Sequence, residues 1–150
     1  MDVNIAERRS VMRVLSRAGE AEIDAALGEL GWTPAYVELR KPEIGLVMLR
    51  GRIGGDGAPF NIGEATVTRA AIRIATGEVG HSYILGRSPE KARNAALVDA
   101  MCQNADYRQE IERKVLATLR RAHDERSAEV AAKTAATKVD FFTLVRGEDA

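Results

Sequence analysis

The spacing of apolar residues divides the chain into three parts, and the first part has the period of helices. Val11 and Leu15 lie one helical turn apart, and after a glycine Ile23 and Leu27 repeat that spacing, with Leu30 on the same face. A second glycine follows Leu30, which is a common end signal for a helix. This part, residues 1–31, is therefore predicted to form two helices.

The second part, residues 35–86, changes to the period of strands. Val37 and Leu39 alternate with polar neighbours, a more apolar run covers residues 44–53, and two further apolar runs follow. The connection Gly54-Gly-Asp-Gly57 is typical of a tight hairpin turn, because glycine adopts positive φ without a steric clash. Consecutive strands with short connections pair antiparallel, so the pattern predicts an antiparallel β-meander of about four strands.

The third part, residues 88–136, returns to helical spacing and predicts two further helices. Ser88-Pro89-Glu90 is a typical helix start, since serine can cap and proline suits the first turn. The first of these helices has a face of small residues suited to close packing, and a longer helix begins near Asp106. The three parts together predict a single α+β domain over residues 1–150, with an aromatic tail at 139–150.

Composition narrows the class of protein. The chain has 150 residues, of which 45% are hydrophobic, and its 22 basic and 22 acidic residues give a formal net charge of zero. A nucleic-acid-binding domain usually carries an excess of positive charge, so nucleic acid is not expected as a partner of this chain. Cys102 is the only cysteine, which excludes a disulfide framework. The amino-terminal residues mix charges with apolar residues and no run approaches the ~20 apolar residues of a membrane span, so a cytoplasmic protein without membrane association is expected.

The chain offers little independent chemistry. His81 and His123 lie in different predicted elements, and Cys102 shares a helix face with small apolar residues. The glycine-rich turn is followed by Ala58-Pro59 and so lacks the Gly-Lys-Ser/Thr of a phosphate-binding loop. Neither a nucleophile with its base nor three metal ligands at suitable spacing is visible. We predict no catalytic residue, no metal site and no cofactor bound by this chain alone.

Two predicted strands carry arginine pairs. Arg50 and Arg52 are two residues apart, and Arg69 and Arg73 are four apart, so each pair is predicted to share a strand face. Guanidinium groups bind phosphate well, which makes these four residues candidates for contact with a substrate or another anion. They can equally form ion pairs with carboxylates across a subunit boundary. Both interpretations stay open at this point.

The carboxyl-terminal segment is predicted to contact a partner. It holds two of the three phenylalanines of the chain and follows a helix end with few apolar residues, so its own domain offers little to bury it. The candidate interface residues are Phe141, Phe142, Leu144, Val145 and Arg146.

Several runs resemble one known family over most of the chain. These runs are EIGLVMLRGRIGGDGAPF at 43–60, NIGEATVTRAAIRI at 61–74, GEVGHSYILGR at 77–87, KARNAALVDAM at 91–101 and VDFFTLVRGED at 139–149. In this order they resemble the PhnG family, the G subunit of the bacterial carbon–phosphorus lyase system for organic phosphonate breakdown.

The resemblance implies a role inside a complex. A G subunit joins the I, H and J subunits in a core complex, with the G and I chains intertwined. The I subunit, helped by G, H and L, displaces adenine from ATP with methylphosphonate and yields α-D-ribose 1-methylphosphonate 5-triphosphate. ATP is then a substrate of the complex, while the iron–sulfur cluster and S-adenosylmethionine belong to the J subunit. The alternative from the residues alone is a free-standing ligand-binding or regulatory domain.

Overall fold

The structure is a computed structural model that describes residues 5–54 and 56–138. In chain order its elements are α1 (Ile5–Arg17), α2 (Glu20–Leu30), β1 (Tyr36–Gly51), β2 (Phe60–Ile74), β3 (Val79–Leu85), α3 (Pro89–Gln103), α4 (Ala105–Ile111), a π-helical turn (Glu112–Leu116) and α5 (Ala117–Ala136). The last three elements run on without a break in helical backbone. The predicted α+β class and the antiparallel sheet are confirmed.

Local signals explain most of the helix ends. Gly31 ends α2 in the left-handed region at φ 71°, where its lack of a Cβ avoids a clash. The backbone N–H of Gly19 donates to the Glu22 carboxylate over 2.6 Å and so satisfies a free donor at the start of α2. Pro89 occupies the first turn of α3 as predicted, but the Ser88 hydroxyl makes no capping bond and contacts Glu20 instead.

The prediction of about four strands is wrong for the part of the chain that the structure describes. Its sheet has three antiparallel strands in the order β1-β2-β3. Residues 41–43 lie between the first two strand patterns of the sequence, yet Lys41-Pro42-Glu43 lies inside β1, where the pairing with β2 shifts register on either side of Arg40. Proline has no N–H to donate, and an edge strand such as β1 tolerates it because one of its sides is unpaired.

The strands differ greatly in length, and this leaves part of the sheet without a third strand. β3 pairs only with residues 67–73 of β2. Beyond that point, residues 46–51 of β1 pair with residues 60–66 of β2 in a two-stranded ladder. We call residues 46–51 and 60–66 the hairpin arm. It extends past the three-stranded region.

Helix α3 lies at the centre of the core. It packs on β2 and β3, and it also contacts α1 and α2. The core includes Leu15, Ile23, Ile72, Ile84 and Met101, each at most 1% exposed. The predicted small-residue face of α3 allows close packing, since a Cβ placed on Gly80 would lie 1.9 Å from the carbonyl oxygen of Ala96.

None of the described helices is long and apolar enough to span a membrane. The five interface candidates from Phe141 to Arg146 lie outside the described residues, so their role stays a prediction.

Candidate functional site

A buried carboxylate joins three elements of the fold. Asp99 on α3 is 1% exposed. It accepts hydrogen bonds from Nε and Nη2 of Arg8 on α1, at 3.1 and 2.6 Å, and from the backbone N–H of His81 on β3, at 2.9 Å. The bidentate bond to Asp99 raises the pKa of Arg8. Asp99 is therefore fully occupied by the protein itself and holds α1 beside the edge of the sheet.

A basic groove lies between α1 and β3, next to this ion pair. It has a volume of about 530 Å³, and we define it by Arg8, Arg9, Met12, Arg13, His81 and Tyr83. Its surface is mainly apolar, with the arginines around it. Within residues 5–54 and 56–138, no carboxylate forms an ion pair with Arg9 or Arg13. The groove therefore combines an apolar floor with two uncompensated positive charges.

The four arginines proposed from the sequence lie elsewhere and fall into two separate places. Arg69 and Arg73 do share a face of β2, and Nε of Arg69 lies 2.6 Å from the Glu43 carboxylate. Arg50 pairs with Asn61 at the far end of the hairpin arm, and Arg52 follows the end of β1. The eight residue steps from position 61 to position 69 of β2 span about 27 Å. One small ligand cannot contact both pairs, and their role in anion binding stays a prediction.

The remaining candidates for chemistry are dispersed. Burial raises the pKa of the Cys102 thiol to about 12, so the thiol stays protonated at neutral pH. Nε2 of His123 lies 3.5 Å from Nη1 of Arg17 on the surface. Among the residues that the structure describes, no three His, Cys, Asp or Glu side chains are grouped so as to hold a metal ion.

The hairpin arm forms a second distinctive surface, because its apolar side chains lie in solvent. Those at least 44% exposed are Leu46, Met48, Leu49, Phe60 and Ile62. Neighbouring exposed apolar residues on this scale mark an interaction surface in a soluble protein. An extended two-stranded ladder is also only marginally stable in water by itself.

Sequence reasoning missed the basic groove and the exposure of the arm. The signal for the groove was present: α1 carries four arginines, Arg8, Arg9, Arg13 and Arg17, against the single Glu7. Which of them would find a carboxylate depends on Asp99, ninety-one residues after Arg8. The residues of the arm were predicted as strand, but the local pattern does not show that a third strand is missing there. Which strands pair depends on the assembly of the whole sheet.

The fold and these surfaces define a class of protein: a small α+β domain whose most distinctive features are a basic groove and an apolar arm. The comparisons with known proteins then identify the family. The family described as "Phosphonate metabolism protein PhnG" matches residues 6–147. A protein of Rhizobium meliloti (strain 1021), named alpha-D-ribose 1-methylphosphonate 5-triphosphate synthase subunit PhnG, is 49% identical over 150 residues, which cover 99% of this chain and 94% of that protein. The chain belongs to the PhnG family of phosphonate metabolism.

Proposed function

We propose that this chain is an accessory subunit of an α-D-ribose 1-methylphosphonate 5-triphosphate synthase. The similar protein of Rhizobium meliloti is named as a subunit of that enzyme, and the similarity extends over nearly the whole of both chains. In this role the chain supports an I subunit, which displaces adenine from ATP with methylphosphonate. ATP is then a substrate of the assembly, and the iron–sulfur cluster and S-adenosylmethionine belong to a J subunit.

The observation that supports a subunit role most directly is the exposed hairpin arm. Leu46 is 62% exposed and Ile62 is 63% exposed, although both lie in regular strands. Fully burying an apolar side chain of this size contributes about 1.5–3 kcal/mol, so covering the five partly exposed side chains of the arm contributes several kcal/mol. A partner that covers the arm therefore gains affinity and also stabilises the two-stranded ladder.

We assign the partner of the arm as the I subunit, in a core complex with H and J subunits and with an L subunit for the reaction. The arm is long and narrow, and such an element suits an intertwined contact better than a flat one. The tail residues Phe141 and Phe142 are proposed to add to the same assembly. The competing function is that of a free-standing ligand-binding domain. In that case the apolar side chains of the arm would remain exposed to solvent.

Co-expression with the H, I and J subunits tests this assignment. The full chain is tagged, purified and examined by size-exclusion chromatography with mass analysis. Leu46→Lys, alone and combined with Met48→Lys, should reduce recovery of the complex, because lysine is depleted at buried interfaces. Val130→Lys is the matched control, since Val130 is 63% exposed on α5, away from the arm. A chain ending at Lys138 tests the tail in the same way.

The outcomes separate the two functions. Loss of the complex with the Leu46 variants but not with Val130→Lys supports the arm as the interface. Equal recovery of the complex with all variants would show that the arm is not an interface in the assembly. If the unchanged chain elutes alone as a folded monomer in the presence of all partners, the subunit proposal fails and the free-standing domain becomes the better description.

A further inference from the structure

We propose that the basic groove between α1 and β3 binds the polyphosphate group of a phosphate ester. The proposal rests on the proposed function, since the product that gives the enzyme its name carries a 5-triphosphate. The site is distinct from the hairpin arm and from the four arginines that the sequence suggested. Its lining residues come from α1, α3 and β3.

The charge distribution is the first argument. Arg9 and Arg13 lie one helical turn apart on α1, where two like charges destabilise a helix by a few tenths of a kcal/mol. The structure shows no carboxylate paired with either side chain anywhere in the ranges that it describes. Asp99 is the acidic group of the groove, and Arg8 with the His81 N–H already occupies it. Two guanidinium groups are thus left to face a ligand.

Their spacing favours adjacent phosphoryl groups over a single one. Side chains at i and i+4 have Cβ atoms about 5–6 Å apart, and each guanidinium can donate two parallel hydrogen bonds to an oxyanion. Neighbouring phosphoryl groups of a polyphosphate therefore match two arginines one turn apart. Arg8 lies on the same helix, held by Asp99.

The rest of the groove suits the organic part of such an ester. Its volume of about 530 Å³ is within the usual range of small-molecule sites, and its floor is mainly apolar. Tyr83 is 54% exposed on β3 and presents a ring on this floor. Asp99 on α3 binds both the backbone N–H of His81 on β3 and the guanidinium of Arg8 on α1, so it fixes the two sides of the groove relative to each other.

Calorimetric titration with inorganic tripolyphosphate and with ATP tests the site, on the full-length chain and on its co-purified complex. Arg9→Gln/Arg13→Gln should weaken binding of tripolyphosphate at least tenfold, because it removes two charge-assisted contacts. Arg87→Gln/Arg121→Gln is the matched control: it removes the same charge from two exposed residues outside the groove, and affinity should stay within twofold. Tyr83→Ala should weaken ATP more than tripolyphosphate.

Each other result overturns the proposal or part of it. Absence of tripolyphosphate binding by the unchanged protein overturns it, as does equal weakening by both double variants, which would indicate diffuse electrostatic attraction. If Arg9→Gln/Arg13→Gln leaves binding intact but releases the chain from its complex, the groove holds a partner's carboxylates. If Tyr83→Ala weakens the binding of ATP and of tripolyphosphate equally, the part of the proposal that places the organic group of the ester on the groove floor is overturned. Assembly is read separately by chromatography, so failure here does not depend on the subunit role.

Discussion

The substitution Gly80→Ala tests whether the contact between α3 and β3 is as close as the structure shows. A Cβ at this position would lie 1.9 Å from the carbonyl oxygen of Ala96 and 2.5 Å from the backbone nitrogen of Ala100. Both are main-chain atoms of a helix, so no side-chain rotation relieves the clash. The backbone of Gly80 is not in the left-handed region, and the effect is therefore purely steric.

The magnitude follows from the movement required. The helix must retreat by about 1.1 Å before the Cβ reaches even the closest separation that real structures show. A gap of 0.5–1 Å already forfeits a quarter to a half of the dispersion energy of each contact, and α3 carries nine buried residues. We expect a loss of about 3 kcal/mol, at the upper end of ordinary overpacking. For a domain of this length that lowers Tm by about 6–12 °C.

Urea denaturation followed by circular dichroism measures the change in the free energy of unfolding. Gly63→Ala is the matched control, because a Cβ on this strand glycine meets nothing within 4 Å. The control should remain within about 0.5 kcal/mol of the unchanged protein. If Gly80→Ala is equally neutral, the close packing of α3 on β3 is refuted.

Three further predictions concern single residues. Gly28→Ala should stabilise α2 by about 0.5–1 kcal/mol in urea denaturation, since the position is open and helical, and a destabilised variant would contradict this. Cys102 should react with a thiol reagent at pH 8 only at the rate of unfolding, because burial raises the pKa of its thiol to about 12; rapid reaction of the native protein would contradict its burial. The hydrogen bond from Gly19 lowers the pKa of Glu22. The contribution of this carboxylate to the free energy of unfolding is therefore complete above the ordinary pKa of 4.5 and is lost as the pH falls through the lowered pKa. Glu22→Gln should therefore flatten the decline in stability as the pH falls below 4.5, and an unchanged decline would exclude this carboxylate.

The arginines show what kind of information the sequence lacks. The two-residue period of a strand predicts that Arg69 and Arg73 share one face, and the structure places them there. The same reasoning could not show that Glu43 neutralises Arg69, because that contact joins residues twenty-six positions apart. The sequence also does not show that Arg8 forms an ion pair with Asp99 while Arg9 in the same helix does not.

The sequence by itself determined the succession of two helices, an antiparallel sheet and further helices, because these depend on local period and on end signals such as Gly31 and Pro89. The similarity of the chain to the PhnG family is likewise a property of the sequence. Only the tertiary structure decided that Pro42 lies inside an edge strand, that the hairpin arm has no third strand, and that Asp99 is buried beside the groove. Each of these depends on which distant segments are brought together, and the local pattern of apolar and polar residues does not encode that pairing.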